Sequence, residues 1–302
     1  LDGSIKPVGI PDADGNYVMA PYSARGNDEI KKFYQTGTIL QNNLNISAGG
    51  ADGYVNLNLG NVRRDFILEG DELNRNTVVL TAGKKINKFT VGGTFTFTNQ
   101  RTKQANVNAA TSRSDYTLLT TLLQAASNVP IEEFKNRGLY GWNGYYQNPY
   151  WARENNRLEE TKNFINLGMN AGYEINKNIE IVYNGSVQMR NTNQVSYSNQ
   201  AISPADADGG FDSPSQFYQS TLGSTFYYGD LMANFNYDLS DALKLKFNVG
   251  QNVQYNYSKR ISQGGTNLEI PGLYNIANVL NPANPSTLDN RTIETRSTAT
   301  FA

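Results

Sequence analysis

Few side chains in this sequence can do acid–base, nucleophilic or metal chemistry. There is no cysteine and no histidine. That removes thiolates, disulfides, Ser-His-Asp relays and imidazole metal sites. Carboxylates remain. Glu132-Glu133 and Glu159-Glu160 are adjacent acids, the pattern of a solvated face, whereas glycosidase chemistry needs two carboxyls held at a set separation. Asp12-Ala13-Asp14-Gly15 and Asp206-Ala207-Asp208-Gly209 begin like calcium loops, but neither has the closing glutamate of an EF-hand, and both read as solvated turns. No catalytic residue, metal or cofactor is expected, and the chain is not read as an enzyme. The chemistry left is recognition by aromatic faces. Tyr140, Trp142, Tyr145, Tyr146, Tyr150 and Trp151 crowd one short stretch that holds both tryptophans. Of these, Trp142, Tyr145, Tyr146, Tyr150 and Trp151 are the candidate contacts to a substrate or partner, since flat rings with polar edges suit sugars and protein surfaces. The competing readings are self-packing of a long loop, or an aromatic belt at a lipid boundary.

The elements that must position this run are strands. In Asn76–Gln100, Val78, Leu80 and Ala82 alternate with Thr77, Thr81 and Gly83. After the polar turn Lys84–Lys88, Val91, Phe95 and Phe97 alternate with Thr90, Thr94, Thr96 and Thr98. That is a hairpin with one apolar and one polar face. Its arms of about ten residues are long for soluble strands and match a tilted membrane-crossing strand. The pattern recurs at Leu44–Ala48 and Val55–Leu59, at Ile165–Ile175 and Ile179–Met189, and at Leu231–Leu239 and Leu243–Tyr255, with a further strand starting near Arg291. Short turns are expected at Gly50–Gly53, Asn176–Asn178 and Ser240–Ala242, and polar loops at about 63–74, 195–225 and 259–289. Residues 1–37 read as outer loop with a short helix at Asn27–Tyr34. Residues 38–100 are two hairpins, 101–160 a long helical and aromatic outer loop, and 161–302 further hairpins. Within the long loop, Leu118, Leu119, Leu122, Leu123 and Ala126 have helical spacing behind a Ser114 cap, and Pro130 opens a second short helix through Phe134.

The 302 residues carry a net charge of −1, so no broad electrostatic case exists for nucleic acid. Mean hydropathy is negative and no apolar run is long enough for a membrane helix, but alternating strands average out as hydrophilic. The connections are asymmetric, short at one end of the sheet and long at the other, as in outer-membrane barrels. The expected fold is therefore all-β: an antiparallel up-and-down transmembrane β-barrel, present as an open curved partial sheet of about nine strands with long extracellular loops and a short helical insertion. An odd strand count, a start without a secretory signal and an alternating, turnless end suggest part of a longer chain. A closed barrel of about eight strands with frayed ends is the competing architecture.

Several stretches carry a family likeness: Phe33-Tyr34-Gln35-Thr36-Gly37, Asn42-Asn43-Leu44-Asn45-Ile46-Ser47-Ala48-Gly49-Gly50, Leu73-Asn74-Arg75-Asn76-Thr77, Asn148-Pro149-Tyr150-Trp151 and Ile270-Pro271-Gly272-Leu273-Tyr274-Asn275. From about residue 20 onward the chain resembles SusC/RagA-type TonB-dependent transporters of Bacteroidota. The resemblance implies a slice of a plugged outer-membrane barrel of about 22 strands, without the plug or TonB-contacting segment. It further implies import of glycans or peptides, a SusD-like lipoprotein lid, energy from the TonB-ExbB-ExbD complex and a wall in contact with outer-membrane lipid. A passive porin or small structural barrel, and a soluble β-rich carbohydrate-binding module, are the alternatives.

Overall fold

The computed structural model of the chain describes residues 2–26, 28–106, 118–144, 146–203, 212–240 and 242–302. A small hairpin, β1 (Ile5–Val8) and β2 (Val18–Pro21), comes first, then helix α1 (Asp28–Lys32). The main sheet follows: β3 (Thr38–Gly49), β4 (Gly53–Asp65), β5 (Glu72–Ile86), β6 (Phe89–Ala105), β7 (Asn156–Asn176), β8 (Ile179–Ser198), β9 (Gln216–Ser240), β10 (Leu243–Leu268), β11 (Val279–Pro282) and β12 (Arg291–Phe301). Between β6 and β7 lie α2 (Leu118–Leu123), a 3-10 turn (Ile131–Phe134) and α3 (Pro149–Asn155). The sheet has 10 strands, is antiparallel throughout, and pairs each long strand with its neighbour in sequence. β11 and β12 share the far side of β10, and the sheet does not close. It is a partial barrel wall.

Residues paired across strands lie on the same face. Leu57, Leu80, Phe95, Leu167 and Val187 form one such row, and Thr81–Thr94 and Asn184–Asp230–Asn252 lie on the other face. Among the described residues no second protein layer covers the apolar face: Leu80 is 41%, Leu167 52% and Leu231 53% exposed. Such a belt of large apolar side chains far exceeds the scattered exposed residues of a soluble surface. Aromatic pairs stud it, with Phe89–Tyr173 and Phe235–Phe247 near the short turns and Tyr227–Tyr255 further along.

The register also gives the strand tilt. The row Asn61–Asn76–Asn99–Asn163–Asn191–Gly223–Lys259 runs straight across the strands. Its distance from the short-turn end grows from eight residues on β4 to sixteen on β10. If the turns share a plane, eight residues at ~3.4 Å against six strand steps at ~4.8 Å give a tilt of about 43°, within the ~35–45° of barrel walls.

The strands outrun the alternation that announces them. β5 has 15 residues and β6 17, joined by a two-residue turn in which Asn87 takes φ 54°. β9 and β10 reach 25 and 26 residues. The polar stretches expected as loops at 63–74, 195–225 and 259–289 are thus partly strand, and the connections shrink to 66–71, 199–215 and 269–290. Backbone pairing with a neighbour holds a polar segment in the ladder where periodicity alone reads loop. At the other end Asn176 Oδ1 accepts from the backbone N–H groups of Asn178 (2.8 Å) and Ile179 (3.1 Å), closing the β7–β8 turn. The helices fall close to expectation, α2 ending earlier. The Asn27, Ser114 and Asp206–Gly209 readings lie outside the described residues. The elements that differ from expectation are β1 and β2 in a segment read as loop, β11 within the loop expected at 259–289, and α3 inside the aromatic run.

Candidate functional site

The buried core of the protein sits in the loops at the long-connection end, not in the sheet. Val8 and Val18 from the small hairpin, Phe33 behind α1, Leu122 of α2, Ile131 and Phe134 of the 3-10 turn, and Tyr150 of α3 make one cluster. Phe134 and Leu122 are 0% exposed. Each such side chain contributes about 2–3 kcal/mol by leaving water, and elements this short have little other means of stability. Gly9 shows how closely they fit. Its φ is +79°, and a Cβ there would lie 2.5 Å from the Gly141 carbonyl oxygen and 2.9 Å from the Phe134 ring.

Asn148 organises the aromatic run. It is 1% exposed. Its Oδ1 accepts from the Tyr150 backbone N–H (3.1 Å), capping α3, and its Nδ2 donates to the carbonyls of Phe134 (2.7 Å) and Tyr140 (3.3 Å). Pro149 takes the first helical position, where no N–H is needed. The Asn-Pro pair is a helix start legible in the sequence, and it was the signal that could have located α3.

The cap fixes where the rings point. Tyr150, 2% exposed, packs edge-on against Phe33 with centroids 4.9 Å apart, and burial pushes its hydroxyl pKa up to about 12. Trp142 packs on Phe134 at 5.7 Å. These two rings build the assembly. Trp151 and Tyr146 are half-buried at its surface, Tyr146 reaching Gln124 through its hydroxyl. Tyr145 lies outside the described residues.

Charged residues tie the assembly to the sheet, and sequence reading singled out none of them. Arg153, 2% exposed, stacks beside Phe33 and Tyr150 and pairs with Glu69 and Glu154, both at 3.1 Å. Lys135 also reaches Glu69 (3.1 Å), and this hydrogen bond, with the Arg153 charge, holds Glu69 below its ordinary pKa. Arg157 binds Asp71 Oδ1 (3.0 Å) and the carbonyls of Arg153 (3.0 Å) and Gly70 (2.7 Å), and Asp71 also accepts from the Ala105 N–H (2.7 Å). Burial nevertheless pushes Asp71 up. The 269–290 connection joins through Tyr274, which stacks on Tyr197 at 3.9 Å and donates to Asn199 (2.7 Å), itself bonded to Asn155 at the end of α3 (2.6 Å). Ile270–Asn275 had been noted for its family likeness alone.

The acidic candidates are engaged structurally. Asp12 Oδ1 accepts from the N–H groups of Asp14 and Asn16 at 3.1 and 2.9 Å, Glu159 accepts from Tyr197 at 3.3 Å, and Glu160 pairs with Lys162 at 2.6 Å. The arrangement sets a packed aromatic collar at one end of the partial barrel wall.

No family model and no curated protein matches the chain. Among solved structures, the RagAB peptide importer in its closed-closed state aligns with TM-score 0.66 at 12% identity, over 99% of this chain and 31% of that one. The RagAB peptide importer in its open-open state aligns with TM-score 0.64 at 13% identity, over 92% of this chain and 30% of that one. At such identities the likeness is one of fold. The chain spans about a third of the length of these proteins, and over that span it has the fold of a stretch of a peptide-importer chain.

Proposed function

We propose that the chain is a segment of the wall and outer loops of an outer-membrane nutrient importer of the TonB-dependent SusC/RagA type. The observation that carries the reading is the uncovered apolar face on a sheet tilted by about 43°, with every short turn at one end and the aromatic collar at the other. Lipid would cover that face, and the polar face, with Thr81, Asn184, Gln188 and Lys246, would line the lumen. Short turns belong on the periplasmic side, which puts the collar outside the cell. Fold similarity to the RagAB peptide importer supports the same reading. The proposed cargo is a peptide or an oligosaccharide. The proposed partners are a SusD-like lipoprotein seated over the collar and the TonB-ExbB-ExbD complex acting through a plug region of the whole protein.

The test is uptake in cells. Deleting the gene should abolish uptake of labelled oligopeptides or oligosaccharides, and depleting TonB should do the same with the protein still in the outer membrane. Uptake that survives TonB depletion would favour a passive porin. Recovery of the intact protein from the soluble fraction would favour a soluble module.

A further inference from the structure

The apolar belt ends abruptly. On five successive strands, β4 to β8, the residue that follows its last member on the same face is asparagine: Asn61, Asn76, Asn99, Asn163 and Asn191, each in register with the next, and on β3 Asn42 continues the row with Leu40 beyond it. Their amides bond across the strands. Asn61 Nδ2 donates to Asn76 Oδ1 (2.7 Å) and Asn74 Oδ1 (3.3 Å), and Asn99 Nδ2 donates to Asn163 Oδ1 (2.7 Å). On β4 and β5 this row stands eight residues from Gly53 and ten from Ile86. Up a tilted strand that is about 20–25 Å, close to the ~25 Å apolar band of outer-membrane barrels.

One step further out on the same face, Arg63, Asn74 and Arg101 are aligned across β4, β5 and β6. All three are exposed, and neither arginine has an ion pair, hydrogen bond or ring contact among the described residues. Nearby acids are engaged elsewhere: Asp65 accepts from Thr38 Oγ1 (2.8 Å), and Glu72 faces Lys103 (3.4 Å). The arginines stand two strands apart, about 10 Å, close enough for two long side chains to meet over Asn74. Guanidinium forks match phosphate oxygens two bonds at a time, and amides suit sugar hydroxyls. Directly below are Leu59, Val78 and Phe97 of the belt. A ligand that uses all three layers must carry phosphate, sugar and acyl chains together.

We propose that Arg63, Arg101 and Asn74, above the asparagine row, form a headgroup site for a phosphorylated glycolipid of the outer leaflet. The inference rests on the reading of the apolar face as lipid-facing. It is tested with the full-length protein reconstituted in phosphatidylethanolamine vesicles containing lipid A, with bound lipid A measured by mass spectrometry after detergent exchange. The double variant Arg63→Gln with Arg101→Gln should retain lipid A about tenfold less well. Arg75→Gln, on the opposite face, should retain it as wild type does. Dephosphorylated lipid A should be retained poorly by all three, and millimolar inorganic phosphate should not displace lipid A from wild type. Equal retention by the double variant overturns the site, and full displacement by phosphate makes it a free-anion site and overturns the lipid assignment. Either result, in protein that inserts normally, leaves the importer reading standing. Failure to insert overturns both.

Discussion

Asn148 does more than an ordinary helix cap, because its amide also satisfies two carbonyls inside the loop core. Asn148→Ala removes the cap, worth about 1 kcal/mol, and strands buried acceptors, for a total of about 3 kcal/mol. Arg157→Met breaks a shielded ion pair and leaves Asp71 charged, costing about 3–5 kcal/mol. In both variants limited proteolysis should cut within 106–155 while heat-modifiable migration on gels, which reports the barrel, stays unchanged. Trp142→Ala with Trp151→Ala is expected to lower substrate uptake or lipoprotein association in cells while outer-membrane levels stay normal. Most of that loss should already appear in Trp151→Ala, since Trp142 is packed on Phe134. Unchanged uptake and association in the double variant would mean that the rings serve only the loop.

The strands and the loop assembly are held by different forces, so acid should separate them. Ionised Glu69 is stabilised by Lys135 and Arg153, so its pKa lies below the ordinary 4.5 in the folded state. Its contribution is complete above that ordinary value and is lost as pH falls through the lower folded value. Asp71 runs the other way. Burial raises its pKa, so ionised Asp71 weighs against the fold at higher pH, and acid relieves that cost. The expected result is red-shifted emission from Trp142 and Trp151 below about pH 4, with strand circular dichroism unchanged. In Glu69→Gln that shift should vary less with acid. On the proposed reading the wall answers to lipid instead. Leu167→Arg should cost about 2–4 kcal/mol in the intact barrel if it lies near the midplane, whereas Gln188→Arg on the polar face should cost little. Equal tolerance in a membrane refolding assay would reverse the faces.

At the scale of the molecule, the sheet has two open sides. Among the described residues β3 pairs only with β4, and β11 and β12 have only β10. Backbone groups along those edges find no partner in hydrocarbon, so residues 1–302 expressed alone should remain an open or aggregating sheet. A compact, heat-resistant monomer in detergent would show closure and overturn this expectation. With both sides open, the sheet aligns in fold with about a third of a RagAB peptide-importer chain.

Alternation by itself determined the strands, their two faces, the antiparallel order and the asymmetry of the connections, because a period of two records which side each residue faces. Composition by itself removed histidine and cysteine chemistry. Tertiary structure decided what periodicity has no access to. Polar segments such as Gln216–Thr225 and Ser258–Leu268 are strand because each pairs with the other, a long-range contact invisible in either alone. Ile5–Val8 and Val18–Pro21, read as loop for their prolines and intervening turn residues, form a hairpin because Val8 and Val18 close one side of the loop core. The division of the aromatic run also came only from the folded chain. Tyr150 turns inward because the Asn148 cap sets the rotation of α3 against Phe33, Trp142 packs half-buried on Phe134, and Trp151 stays half-buried outside the core cluster. The aromatic spacing was plain in the sequence, but which rings are spent on folding depends on neighbours as distant in sequence as Phe33 is from Tyr150.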